Sequence, residues 1–453
     1  MQGKMDHRLI LFAIALCYQF SGQVAEEMET YNINSSQEPN DNPNSNIIAN
    51  AVNNFGYHIL VKMMNESKNE NVIVSPSGVA GLIAMALLGS VGRTFDEIAD
   101  TLGFSQDIFA NRKNHEDLGT LLQALNDNNS SKTLYADALF VDSQTHLREL
   151  YLNYLHDVYG SEVLTTDFKQ SKVAKDVINE WVKNHTEGKI DMFLKSTLPV
   201  STKLVLLSAL YFSGQWSEPF RAEYTAKMPF KKMSGEVTAD LMLNYGSFPY
   251  TISANNGFTM IGLPYNDSET VMYVIKPIWP KKMSIVDLLN KLDQDTIEEA
   301  IRELESTKCI VRFPKMEIQT NVNLANSLKV LGIRDMFKAN VANFALMVNG
   351  ENTNKSETLL SARIGERRGE SRAIKEMLDA LPNPGIHVDA VMHEVKIKID
   401  EYGTEAVAAT SAVLARTLEQ FYADSPFYMF IRNNRTQLVT FSAVIFDPTI
   451  SKY

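Results

Sequence analysis

Residues 401–421, EYGTEAVAATSAVLARTLEQF, follow a strand-like stretch with a run of small and β-branched side chains that contains no proline. In 394–400 the apolar Val395, Ile397 and Ile399 alternate with Lys396, Lys398 and Asp400, the period of two that marks a half-exposed strand. From Thr404 onward one alternate set is Thr404, Ala406, Ala408, Thr410, Ala412 and Leu414, all uncharged. The other set, Glu405, Val407, Ala409, Ser411, Val413 and Ala415, carries a single charge. Without proline every backbone N–H can join a ladder on both sides, as a central strand requires. Propensity points the other way, because Ala, Leu, Glu and Arg favour a helix, and Gly403 adds a flexible joint. Taken alone, the segment reads either as a strand with a buried face or as a hinged helix.

The rest of the chain bounds its setting. Lys4, His7 and Arg8 precede an apolar run from Leu9 to Leu16 that continues to Phe20, followed by the small residues Ser21, Gly22 and Ala25. This predicts a secretory signal peptide over 1–22 and an extracellular protein, since about a dozen apolar residues fall short of the roughly 20 a membrane span needs. Cys17 leaves with that leader, so Cys309 would stand alone and no internal disulfide is available. Stability must then come from a large core, for which 453 residues at 45% hydrophobic are sufficient. Eight Asn-x-Ser/Thr sequons, at Asn34, Asn65, Asn128, Asn129, Asn184, Asn266, Asn354 and Asn434, are glycosylation candidates. A net charge of −11 argues against a nucleic-acid partner.

Residues 23–46 are polar and Asn-rich and read as a disordered tail. Ile48, Val52, Phe55, Ile59 and Met63 then trace one face of a helix. NVIV at 71–74 is a short strand, and Ser75-Pro76 begins a capped helix that stops at Gly89. Helices dominate early and strands late, with 309–318 among the strands, which predicts an α+β fold. The charged stretch 348–385 reads as a solvated, loop-like insertion whose Arg363, Arg367, Arg368, Arg372 and Lys375 could bind a polyanion only weakly, because Glu366, Glu370 and Glu376 are interleaved. GxSxG, HExxH, paired CxxC and phosphate-loop motifs do not occur, so neither catalysis, nor a cofactor, nor a metal is expected.

Several further stretches carry a resemblance. DEYGTEAVAAT at 400–410 resembles the hinge of the reactive loop in serpins, and NVIVSPSGVAGLIAMALLGSVGRT, INEWVKNHTEGKI, LVLLSALYFSGQWSEPF, FPKMEIQTNVNLANSLKVLGIRDMF, SPFYMFIR and FSAVIFDP resemble that family's signatures in order. The resemblance spans about 47–449 and leaves out the tail and the 348–385 insertion. It implies one domain of three sheets and eight or nine helices, with an exposed C-terminal reactive loop, over 401–421, above a five-stranded central sheet. It also implies a monomeric, secreted inhibitor of serine proteases, acting off the membrane by covalent trapping. The hinge would comprise Glu401, Gly403, Thr404, Glu405, Ala406, Val407, Ala408, Ala409 and Thr410, and Ser75, Asn179 and His393 would form a polar cluster controlling the sheet. Trp216 matches a tryptophan near its top. Gly78 and Ser208 depart from the family's usual Ser and Asn. The family's commonest loop spacing places the scissile bond at Thr417-Leu418 and a spacing one shorter at Arg416-Thr417. We favour Arg416 because an acidic specificity pocket would select it, making the partner a trypsin-like protease; Leu414 and Leu418 are the apolar alternatives.

Overall fold

The computed structural model describes residues 43–126, 131–349, 353–365, 371–403 and 418–450. Fourteen strands lie among them: β1 (Val72–Val74), β2 (Ser131–Asp142), β3 (Glu162–Thr166), β4 (Leu204–Gly214), β5 (Ala226–Lys232), β6 (Gly235–Ser253), β7 (Phe258–Pro264), β8 (Thr270–Pro277), β9 (Glu305–Pro314), β10 (Met316–Asn323), β11 (Ala390–Ile399), β12 (Glu419–Tyr422), β13 (Phe427–Asn433) and β14 (Val439–Ile445). Five form a sheet in the order β10-β11-β4-β2-β3, and the other nine form a second ladder. Where three sheets were expected, the 19-residue β6 pairs with β5 over 235–241, with β9 over 241–250 and with β7 over 250–253, fusing two ladders into one. The strand expected over 309–318 divides at Lys315, where the chain leaves β9 in one sheet for β10 in the other. The apolar positions change phase there, from Cys309, Val311 and Phe313 in β9 to Met316 and Ile318 in β10, with Pro314 and Lys315 between them.

Helix Pro76–Gly89 is buried along its whole length, which explains why its sequence is apolar all round. Ser75 caps it as expected: its Oγ accepts from the Gly78 N–H at 3.1 Å. The first helix, Pro43–Glu66, starts inside the stretch expected to be a disordered tail, and its apolar face places Ile48, Val52, Phe55 and Ile59 in the core.

Eleven α-helices occur among the described residues, two of them within the stretch expected to be a solvated loop. Helices Thr353–Ile364 and Ser371–Asp379 put Leu359, Leu360 and Leu378 into the main core. Arg363 is only 2% exposed. Its guanidinium donates to the carbonyls of Ser90 at 2.7 Å and Leu87 at 3.0 Å, and it lies 4.6 Å from the centroid of the Phe95 ring. These are carbonyls at the C-terminal end of helix Pro76–Gly89, where the helix dipole favours a cation. Charge density in the sequence suggested solvent, but Leu359, Leu360 and Arg363 share one helical face and the arginine finds acceptors inside. Burial pulls the Arg363 guanidinium down to about 9, leaving it charged at neutral pH. Arg148 on a neighbouring element reaches the same insertion through Ser356 Oγ at 2.6 Å.

Arg363→Ala is expected to cost about 3 kcal/mol in urea unfolding, because it strands the Ser90 carbonyl and opens a cavity. Arg372→Ala, on the exposed flank, should stay within about 0.5 kcal/mol.

Candidate functional site

The segment entering 404–417 leaves β11 through a tightly held turn. Asp400 and Gly403 exchange backbone hydrogen bonds at 3.0 and 3.3 Å, and Gly403 has φ 111°. A Cβ there would sit 2.2 Å from the Gly214 carbonyl oxygen, so both conformation and space require glycine. Where the sequence suggests a flexible joint at Gly403, the structure has a held corner, bridged to Gln215. Around it the Trp216 N–H donates to the Tyr402 carbonyl, the indole Nε1 to the Asp400 carbonyl at 3.0 Å, and the Phe220 N–H to the Glu401 carbonyl at 2.7 Å. Trp216 also stacks on Tyr265, with centroids 4.5 Å apart.

Glu401 is buried, yet both carboxylate oxygens are used. Lys315 Nζ pairs with Oε2 at 2.9 Å and Thr225 Oγ1 donates to Oε1 at 2.8 Å. Burial raises this carboxyl, but the Lys315 and Thr225 contacts together hold it below its ordinary range. Thr404, Glu405, Ala406, Val407, Ala408, Ala409 and Thr410 of the hinge, and Leu414, Arg416 and Thr417 at the bait, lie outside the described residues. Leu418 is half-buried, and β12 then pairs parallel to β9 in the nine-stranded sheet.

Beside that corner β11 runs parallel to β4, with eight aligned pairs from Ala390↔Val205 to Ile397↔Phe212. Near the middle of this seam His393 lies opposite Ser208, and Ser208 lies opposite Asp137 on β2. Side chains in register share a face, so three adjacent strands carry a polar row. The Ser75 N–H donates to His393 Nε2 at 3.0 Å, linking the row to the start of helix Pro76–Gly89. Since Nε2 accepts, Nδ1 carries the proton of the neutral ring. Burial holds His393 down to about 3, and burial pushes the Asp137 carboxyl up to about 7 against the opposing Ser208 hydroxyl.

Two of the three proposed cluster residues therefore meet, and one does not. Asn179 faces the segment after its own helix, donating to the Leu194 carbonyl at 3.1 Å and accepting from the Leu194 N–H at 2.6 Å. Ser208, where the family's usual residue is Asn, stands in the row instead. Gly78 is the matching departure: a Cβ on it would lie 2.8 Å from Ser208 Oγ and 3.1 Å from Ser75 Oγ. Asp137 was missed altogether, although a lone acid in the apolar run Leu134–Val141 is a sequence signal.

On the opposite face of β11, Glu394 is fully buried and accepts from the side-chain amides of Gln319 and Asn321. Asn321 also donates to the Phe193 carbonyl at 2.6 Å, so strands β10 and β11 hold the segment that Asn179 holds from above. Of the sequons, Asn65, Asn184, Asn266 and Asn434 are exposed, and Asn34, Asn128 and Asn129 lie outside the described residues. Among the basic residues of the insertion, Arg363 is internal, Lys375 pairs with Asp96 and Asp379, and Arg372 pairs with Glu376. No group of three His, Cys, Asp or Glu side chains suited to a metal occurs among the described residues.

This architecture has known counterparts. The chain is 27% identical to plasminogen activator inhibitor 1 of Neovison vison over 412 residues, covering 88% of this chain and 93% of that protein. The crystal structure of native protease nexin-1 with heparin superposes with a TM-score of 0.74 at 25% identity, covering 89% of this chain and all of that one. A thyroxine-binding globulin complex with thyroxine gives 0.75 at 20% identity, with 89% and 100% coverage, a likeness of fold. Residues 50–448, from the first helix to the end of the last strand, match the family described as serpin (serine protease inhibitor), so this chain belongs to the serpins.

Proposed function

We propose that this serpin is a secreted inhibitor of trypsin-like serine proteases that acts as a suicide substrate. The protease serine attacks the Arg416 carbonyl, the Thr417 amine departs, and the freed hinge enters the central sheet before water can cleave the acyl bond. The observation that carries this reading is the parallel pairing of β4 and β11, with the reactive segment starting at the end of β11. A chain reversing out of β11 runs antiparallel to both neighbours. Entry between them exchanges one parallel ladder for two antiparallel ones. The small, uncharged alternate set from Thr404 to Ala412 suits burial in that position.

Secretion belongs to the same reading, supported by the apolar leader and the exposed sequons. Polyanion binding through the insertion would be weak, since Arg372 has an acidic neighbour and Arg363 points inward.

Trypsin mixed with the protein should yield an SDS-stable complex, a released fragment beginning at Thr417, and a higher Tm for the cleaved form. Arg416→Ala should slow complex formation at least about 100-fold. Cleavage with no complex and no rise in Tm would overturn the proposal in favour of a non-inhibitory carrier. A fragment beginning elsewhere would move the scissile bond.

A further inference from the structure

The polar row borders a cavity of about 130 Å³ between β2, β3 and the helices packed on them. Asp137 lines it, and its Oδ1 is shut off from solvent without a hydrogen-bond partner among the described residues. Such an oxygen ordinarily accepts at least one hydrogen bond, and leaving it bare is costly. Glu162 lines the same cavity, its Oε2 accepting from Trp181 Nε1 at 2.7 Å. No lysine or arginine lines it, so the two acids set its potential. The remaining walls include Met85, Tyr135 and a stacked Trp181–His185 pair with ring centroids 4.1 Å apart.

We propose that this cavity binds a small organic ammonium ion, with the cationic head on Asp137 and the apolar body between Met85, Tyr135 and Trp181. The head adds a charge-assisted hydrogen bond to Oδ1, where the neutral Ser208 hydroxyl on the facing strand is the other neighbouring donor. The aromatic wall adds attraction for a cation and contact for a ring. The volume is close to that of cavities that hold benzene, which sets the ligand at one ring with a short amino arm. A bare metal ion is a poor match, because Asp137 and Glu162 come with no third ligand. The contacts join helix Pro76–Gly89, β2 and helix Ser171–His185, so occupancy fastens the sheet to both helices.

The charges facing Asp137 set the pH dependence. From β2 and helix Glu149–Tyr159, Tyr135 and Tyr159 stay neutral because burial raises them. Glu162 on β3 adds negative charge, and His185 on helix Ser171–His185 lies 3.9 Å from it. Burial holds Asp137 near 7, so ammonium binding below that pH must displace its proton. Affinity for the amine therefore falls as the pH drops.

Benzylamine and its neutral analogue benzyl alcohol test the site on the full chain by calorimetry and thermal melting. At pH 7.5, 10 mM benzylamine should raise Tm by about 2 °C and benzyl alcohol by less than about 0.5 °C. Affinity should be about tenfold weaker at pH 5.5 and at least tenfold weaker in Asp137→Asn. Should that variant fail to fold, Glu162→Gln, at the exposed end, should weaken benzylamine several-fold at unchanged Tm. Equal responses to amine and alcohol, no response to the amine, or full affinity in the Asp137 variant (or, where that does not fold, in the Glu162 variant) would each overturn the assignment.

Discussion

Ala408→Glu leaves cleavage of the reactive segment by a trypsin-like protease intact and raises the stoichiometry of inhibition at least about 100-fold, because the trapped complex no longer forms. Insertion between β4 and β11 must separate eight aligned residue pairs and then bury the alternate set to which Ala408 belongs. A carboxylate at that position would be carried into a sheet that already buries the acids Asp137 and Glu394. An unpaired buried charge costs several kcal/mol, and about 3 kcal/mol in the insertion barrier is a factor of about 100 in rate. Hydrolysis of the acyl bond then wins the competition. Ala408→Ser, nearly as small, should stay close to the parent. Titration of trypsin activity followed by SDS gels reads both variants; an Ala408→Glu protein that still gives full yields of complex would remove the insertion step from the mechanism.

The second large effect is a pair of opposed titrations in the polar row. His393 sits near 3 in the folded protein against an ordinary 6.5, so the folded state refuses a proton that the unfolded chain accepts. Its effect is to remove stability as the pH falls from about 6.5 toward 3. Asp137 sits near 7 against an ordinary 3.8, so the folded state keeps a proton that the unfolded chain releases. Its effect is to add stability as the pH falls from about 7 toward 3.8. Each shift spans a little over three pH units, of order 4 kcal/mol, and the two nearly cancel. Asp137→Asn therefore uncovers a loss of about 3 kcal/mol between pH 7 and 4 relative to the parent, and His393→Gln uncovers a gain of similar size. Comparing variants at each pH in urea unfolding removes the shared contribution of the other carboxylates. Parallel stability curves for parent and variants would show that the row does not titrate in this range.

The elements that carry the fold were legible where a local rule sufficed. Ser75 and Pro76 announced the capped helix, and the alternation of Val395, Ile397 and Ile399 announced β11. The division at Lys315 shows in the sequence only as a one-residue change of phase beside Pro314, and which sheet each piece joins depends on partners elsewhere in the chain. The insertion misled for a related reason: Arg363 reads as a surface charge until the carbonyls of Leu87 and Ser90, more than 270 residues earlier, are seen to face it. At the candidate site His393 and Ser75 were found by resemblance, while Asp137 and Ser208 needed the strand register. A register is set by pairing partners, which no single strand encodes.

One helix links these observations. Pro76–Gly89 begins at the N–H that His393 accepts and ends at the carbonyls that Arg363 donates to, so it behaves as a beam pinned at both supports. A rigid buried beam has little freedom to yield in its middle, and strain applied at one support is felt at the other. Coupling between two such points is reciprocal in free energy. On the proposed mechanism, parting the seam between β4 and β11 would therefore pull on the helix that holds Arg363, and easing the two-helix insertion away from the core would make the seam easier to part.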